Sequence, residues 1–142
     1  MSLPASEDTT TLRQGYVSKE HDTGDDHILI GTPGAAINQG DFVLVWPFFG
    51  LADNDISNST AKATDTIHVG QVYNVGAARI GTSQTFYTLF QPVYFDPSDS
   101  KFYEASDTGR ALVGYVRQVA SASIVPFAFE GLRICGPIDE TT

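Results

Sequence analysis

From about residue 28 to residue 135 the chain alternates short apolar runs with Gly, Pro and Asp punctuation, which predicts many short strands and no helix beyond two turns. The first run, His27-Ile28-Leu29-Ile30-Gly31-Thr32, stops at Pro33-Gly34. After the turn Asn38-Gln39-Gly40-Asp41 comes Phe42-Val43-Leu44-Val45-Trp46 without a polar break, a pattern expected of a strand covered on both faces. Pro47 ends it, because proline has no N–H for a ladder, and Phe48-Phe49-Gly50-Leu51-Ala52 follows as an antiparallel partner or a corner. Beyond a polar loop at 53–65, residues 66–75 alternate: Ile67, Val69, Tyr73 and Val75 share one face, His68 and Asn74 the other, and Gly70 suggests a bulge. Residues 77–85 are weakly patterned.

The aromatic-rich stretch 86–95 reads as strand, interrupted near Gln91-Pro92. Asp96-Pro97-Ser98-Asp99 turns the chain into a hairpin with 101–104, and Asp107-Thr108-Gly109 is a further turn. Strands are predicted at 111–119 and 123–129, Pro126 marking an edge or bulge, and 132–135 closes the body. The expected fold is all-β, a compact β-barrel or β-sandwich with an extended N-terminal arm. The boundaries read as 1–27 for a flexible acidic arm, 28–135 for the β-rich domain and 136–142 for a C-terminal tail. Apart from Met1, only Leu3, Leu12, Tyr16 and Val17 are sizeable apolar groups in the arm.

Charge narrows the partners. The net charge is −9: six acids against Arg13 and Lys19 leave −4 on the arm, and eleven acids against six bases leave −5 on the rest. Without a basic stripe to displace counterions, nucleic acid is not an expected partner, and an anionic membrane surface is disfavoured by the same sign. No run approaches a membrane span, and the N-terminus lacks the charged and apolar regions of a signal peptide. The expectation is a soluble protein made in a cytosol. Cys135 is the lone cysteine, so no intrachain disulfide can form and a small buried residue is expected there.

Catalytic motifs are sparse. Asp-Thr-Gly occurs at 22–24 and 107–109, but polar residues precede both, whereas an aspartic protease needs each Asp at the end of a buried apolar strand. Asp53-Asn54-Asp55 starts like a calcium loop, yet Asn58 and Thr64 stand where Gly and Glu would be required. His21, His27 and His68 show no metal-ligand spacing. A hydrolase would need Asp, His and Ser in one cleft, and neither a Gly-x-Ser-x-Gly turn nor a phosphate loop is present. Neither an enzyme nor a cofactor or metal site is expected. Trp46, Phe48 and Phe49 form the densest aromatic cluster; they read as core, with a subunit interface as the functional alternative.

The order of these elements resembles the small phage proteins that decorate capsids. The resemblance is carried by Pro33-Gly34-Ala35, Gly40-Asp41-Phe42-Val43-Leu44-Val45, Phe49-Gly50-Leu51-Ala52, the alternation at 66–75, Pro92-Val93-Tyr94-Phe95-Asp96 and Leu112-Val113-Gly114-Tyr115-Val116, and it spans about 28–134. Gly70-Gln71-Val72-Tyr73 stands where that family usually has Gly-Val-Phe, 77–88 is longer than usual, and so is the arm. The resemblance implies a virion structural protein of a bacteriophage, made in the host cytoplasm, that sits on the outer capsid surface as a homotrimer. It would bind the major capsid protein and stabilise the shell by bridging subunits, the arm contacting the shell or a neighbouring copy through Leu12, Tyr16 and Val17. A virion-surface receptor- or glycan-binding module is the alternative reading of the same scaffold.

Overall fold

The computed structural model describes residues 26–119 and 127–140. Its strands are β1 His27–Leu29, β2 Phe42–Val45, β3 Phe48–Ala52, β4 Thr66–Val69, β5 Val72–Val75, β6 Pro92–Asp96, β7 Lys101–Tyr103, β8 Ala111–Gln118 and β9 Phe127–Gly131, with one 3-10 turn at Ala77–Arg79. They form two antiparallel sheets, β1-β4-β3-β2 and β5-β9-β8-β6-β7. The all-β expectation holds.

The register explains the layering. In β2 and β3, Phe42, Leu44, Phe49 and Leu51 face the five-stranded sheet, while Val43 and Ala52 lie in a smaller cluster with Ile56, Ile67 and Val69. Ile28, Ile30, Ile37 and Phe48 pack against that smaller cluster. The unbroken apolarity of 42–45 therefore serves both faces, although β2 is an edge strand. A Cβ at Gly50 would run into the backbone carbonyl of His68, so the β3–β4 approach depends on glycine.

The main core lies between the sheets and is aromatic. Phe102 has ring neighbours at Phe42, Phe49, Phe95, Phe127 and Phe129, with centroids 4.9–6.4 Å apart. Tyr73 is buried with them, and its hydroxyl donates to the His68 carbonyl at 2.6 Å. Burial raises the Tyr73 pKa above its ordinary value, against a smaller lowering from hydrogen bonding.

Several expectations need correction. Residues 66–75 are not one bulged strand: Gly70, at φ +68°, turns the chain from β4 in one sheet to β5 in the other. The alternation survives the turn, and Ile67, Val69, Tyr73 and Val75 are all buried. Residues 86–91 are irregular, and the strand begins only at Pro92. The hairpin is as expected, with Phe95 opposite Phe102 and Asp96 opposite Lys101. A bulge falls in β8 instead, where Val93 faces Gly114 but Tyr94 faces Leu112. The extra residue lets Val113 and Val116 both point inward. β9 starts at Phe127; Pro126 and the rest of 120–126 lie outside the described residues. Residues 136–139 are held by backbone hydrogen bonds to 109–112.

Candidate functional site

Segment 84–91 shows which aromatics serve the fold and which do not. Glu104, just after β7, organises it: its Oε2 accepts from the Phe86 amide (2.8 Å), Gln91 Nε2 (3.0 Å) and Thr85 Oγ1 (3.2 Å). Gln84 Oε1 in turn accepts from the Glu104 amide at 2.6 Å. Partial burial by itself would raise the Glu104 pKa, but these donors outweigh it and hold the carboxyl below its ordinary value.

Two phenylalanines of this segment adopt left-handed backbone, Phe86 at φ +53° and Phe90 at φ +68°. For a non-glycine residue that conformation costs about 1–2 kcal/mol. Phe86 is offset by full burial and by stacking on Phe127 with centroids 4.1 Å apart. Phe90 has no such compensation, because 71% of it is exposed. Its backbone is fixed all the same: the Phe90 amide donates to the Val116 carbonyl at 2.8 Å, and the Val116 amide donates to Gln91 O at 2.9 Å. The sheet thus presents this ring to solvent.

Around it lies an apolar rim. Phe90, Tyr115, Val116, Arg117 and Glu130 line a groove of about 400 Å³, and Tyr115 is 41% exposed. Tyr87 and Leu89 are exposed on the same segment, and Val119 follows the end of β8. Arg117 and Glu130 form an exposed ion pair at 2.5 Å. Such a pair contributes little stability in water.

A second exposed aromatic sits at the β2–β3 turn. Trp46 is 50% exposed, its Nε1 donates to the Gly136 carbonyl at 2.8 Å, and it shares a groove with Pro137, Ile138 and Glu140. Of its sequence neighbours, Phe48 is half-buried against the smaller cluster and Phe49 is fully buried in the main core. Leu12, Tyr16 and Val17 lie outside the described residues. Sequence reading assigned 86–90 to a strand and so missed the Phe90 rim. The usable signal was Phe-Tyr-Thr-Leu-Phe, denser in large side chains than one strand face can bury.

The structure also joins residues that the sequence keeps apart. His27 Nδ1 donates to Asp53 Oδ2 at 2.7 Å, and the His27 and His68 rings stack with centroids 4.2 Å apart. This contact follows from β1 pairing with β4, which sets His27 opposite His68. Asp107 lies in an exposed turn, and the cleft containing Asp41, Arg79 and Ser100 includes no histidine. Cys135 is buried, which pushes its thiol pKa up to about 12. A thiol so rarely ionised is a poor nucleophile.

A profile of the phage cement proteins matches residues 21–128, well over half of the chain. The chain belongs to the phage cement protein family. No curated protein and no solved structure matches it. Cement proteins are virion structural proteins that stabilise the capsid, so association with capsid proteins on the phage virion follows from membership. In a cement protein, exposed aromatics on a rigid β scaffold are candidates for contact with the shell.

Proposed function

We propose that the protein binds the outer capsid surface as a homotrimer and reinforces the shell by bridging neighbouring capsid subunits. The observation that carries this reading is Phe90, an exposed aromatic held in costly backbone geometry by the sheet beside an apolar groove. Burying that ring and Tyr115 against a capsid subunit would recover apolar area at about 25 cal/mol per Å². Trp46, exposed on the β2–β3 turn beside Pro137 and Ile138, forms a second contact, to another copy or another capsid subunit. The polar N-terminal arm adds a third through Leu12, Tyr16 and Val17, apolar anchors in an otherwise polar stretch. Three copies on three equivalent sites gain avidity over one.

Co-sedimentation with capsid shells lacking the protein tests the reading. The wild type binds; Phe90→Asn and deletion of residues 2–26 each weaken binding about tenfold or more, the equivalent of about 1.4 kcal/mol. Unchanged binding in both variants contradicts these contacts. Adsorption of the isolated protein to host cells, without affinity for shells, would favour receptor or glycan binding instead. Light scattering should give close to three times the 15.3 kDa chain mass; a species that stays monomeric on shells contradicts the trimer.

A further inference from the structure

His27, Asp53 and His68 come from three neighbouring strands of the four-stranded sheet. His27 opens β1, His68 lies in β4, and Asp53 follows the last residue of β3. The register places them together: His68 is opposite His27 on one side and Leu51 on the other, and the Asp53 amide donates to the Thr66 carbonyl at 3.0 Å. All three side chains therefore rise from the same face, where Asp53 reaches across β4 to His27. One candidate ligand atom from each, an imidazole nitrogen or a carboxylate oxygen, lies within 4.8 Å of the others.

We propose that these residues form a site for a divalent transition-metal ion of the zinc class. Two imidazoles and one carboxylate are the donor set that suits zinc and its neighbours, whereas calcium and magnesium require mainly oxygen. With bonds of about 2.0–2.2 Å, a tetrahedral zinc ion holds its ligand atoms about 3.3 Å apart. His27 Nδ1 and Asp53 Oδ2, now 2.7 Å apart, need to open by about 0.6 Å, and the stacked imidazole rings must turn so that a nitrogen of each points at the ion. The ion takes the place of the proton between Nδ1 and Oδ2, and His27 binds as the neutral imidazole that carries its single proton on Nε2.

The carboxylate is already oriented. Thr66 Oγ1 donates to Asp53 Oδ2 at 2.7 Å, the kind of outer-shell hydrogen bond that fixes metal ligands. The backbone under His68 is fixed by the Tyr73 hydroxyl bound to its carbonyl and by the close approach of Gly50. An ion can enter directly, because the His27 side chain is 41% and that of Asp53 21% exposed. Water would complete the coordination. Bound metal would cross-link β1, β4 and the end of β3. β1 is only three residues long, pairs among the described residues with β4 alone, and marks where the N-terminal segment joins the body.

The test uses full-length, tag-free protein with zinc chloride in calorimetry and cobalt chloride in absorption spectroscopy. The expected result is one ion per chain, with cobalt bands of a low-symmetry nitrogen–oxygen site. His27→Ala and His68→Ala should each weaken binding about tenfold or more. Saturating zinc should raise the Tm of the wild type and raise that of both variants less. Should His68→Ala fail to fold, His27→Ala, at an exposed edge position, together with Asp53→Asn decides the matter. Absence of zinc uptake by the folded wild type, or uptake that His27→Ala and Asp53→Asn both retain, overturns the site.

Discussion

The aromatic core and the rim around Phe90 use the same residue types in opposite ways. In the core, Phe49, Phe86, Phe95, Phe102, Phe127 and Phe129 are all buried, and even the left-handed backbone of Phe86 is offset by its stack on Phe127. On the rim, Phe90 adopts equally unfavourable backbone geometry and buries little. The fold does not need its ring there, so the difference separates the aromatics that hold the body together from those it leaves exposed. A cement protein needs both, because it must be rigid before it can resist movement of the subunits it meets.

Substitutions can break this division, beginning where the effect should be largest. Phe102→Ala empties the centre of the aromatic cluster and should cost about 3–5 kcal/mol in urea unfolding. Ile67→Ala, in the smaller cluster beneath β1 and β4, should cost about 2 kcal/mol, and hydrogen exchange should quicken in β1 and β4 more than in β8 and β9. Equal quickening in both sheets would show that the clusters unfold as one.

Glu104→Gln should cost about 1 kcal/mol, since the charged acceptor of three donors becomes neutral and solvent screens part of the gain. The sign of its pH dependence follows from the lowered pKa. Glu104 contributes fully above the ordinary carboxylate range, and that contribution fades as pH falls through the lowered folded-state value. Acid titrations should therefore converge for wild type and Glu104→Gln below that value; a gap that persists would mean that the charge is not what holds the segment.

The smallest stability effect belongs to the rim. Phe90→Asn puts a residue that tolerates φ +68° where an exposed aromatic now sits. Its stability should stay within about 0.5 kcal/mol of wild type or rise slightly. A loss above 2 kcal/mol would move Phe90 from the rim to the structural group.

Much of this division could be read from the sequence, and the reasons for the rest are physical. Turn chemistry placed the 96–101 hairpin and the Gly109 turn, and alternation placed Ile67, Val69, Tyr73 and Val75 inside. Alternation carries no information on which sheet a strand joins, so Gly70 read as a bulge within one strand instead of a passage between two. Propensity favours extended backbone for aromatics, which concealed the left-handed Phe86 and Phe90; Glu104, far along the chain, fixes that segment. The meeting of His27, Asp53 and His68 depends on register between β1, β3 and β4, and no local spacing encodes it.

The most direct test of the central claim is the temperature at which DNA-filled shells release their genome, with and without added protein. Wild-type protein should raise that temperature, and Phe90→Asn, folded to the same stability, should raise it less at equal concentration. Shells that release DNA at the same temperature when saturated with wild-type protein would contradict a stabilising role for this surface.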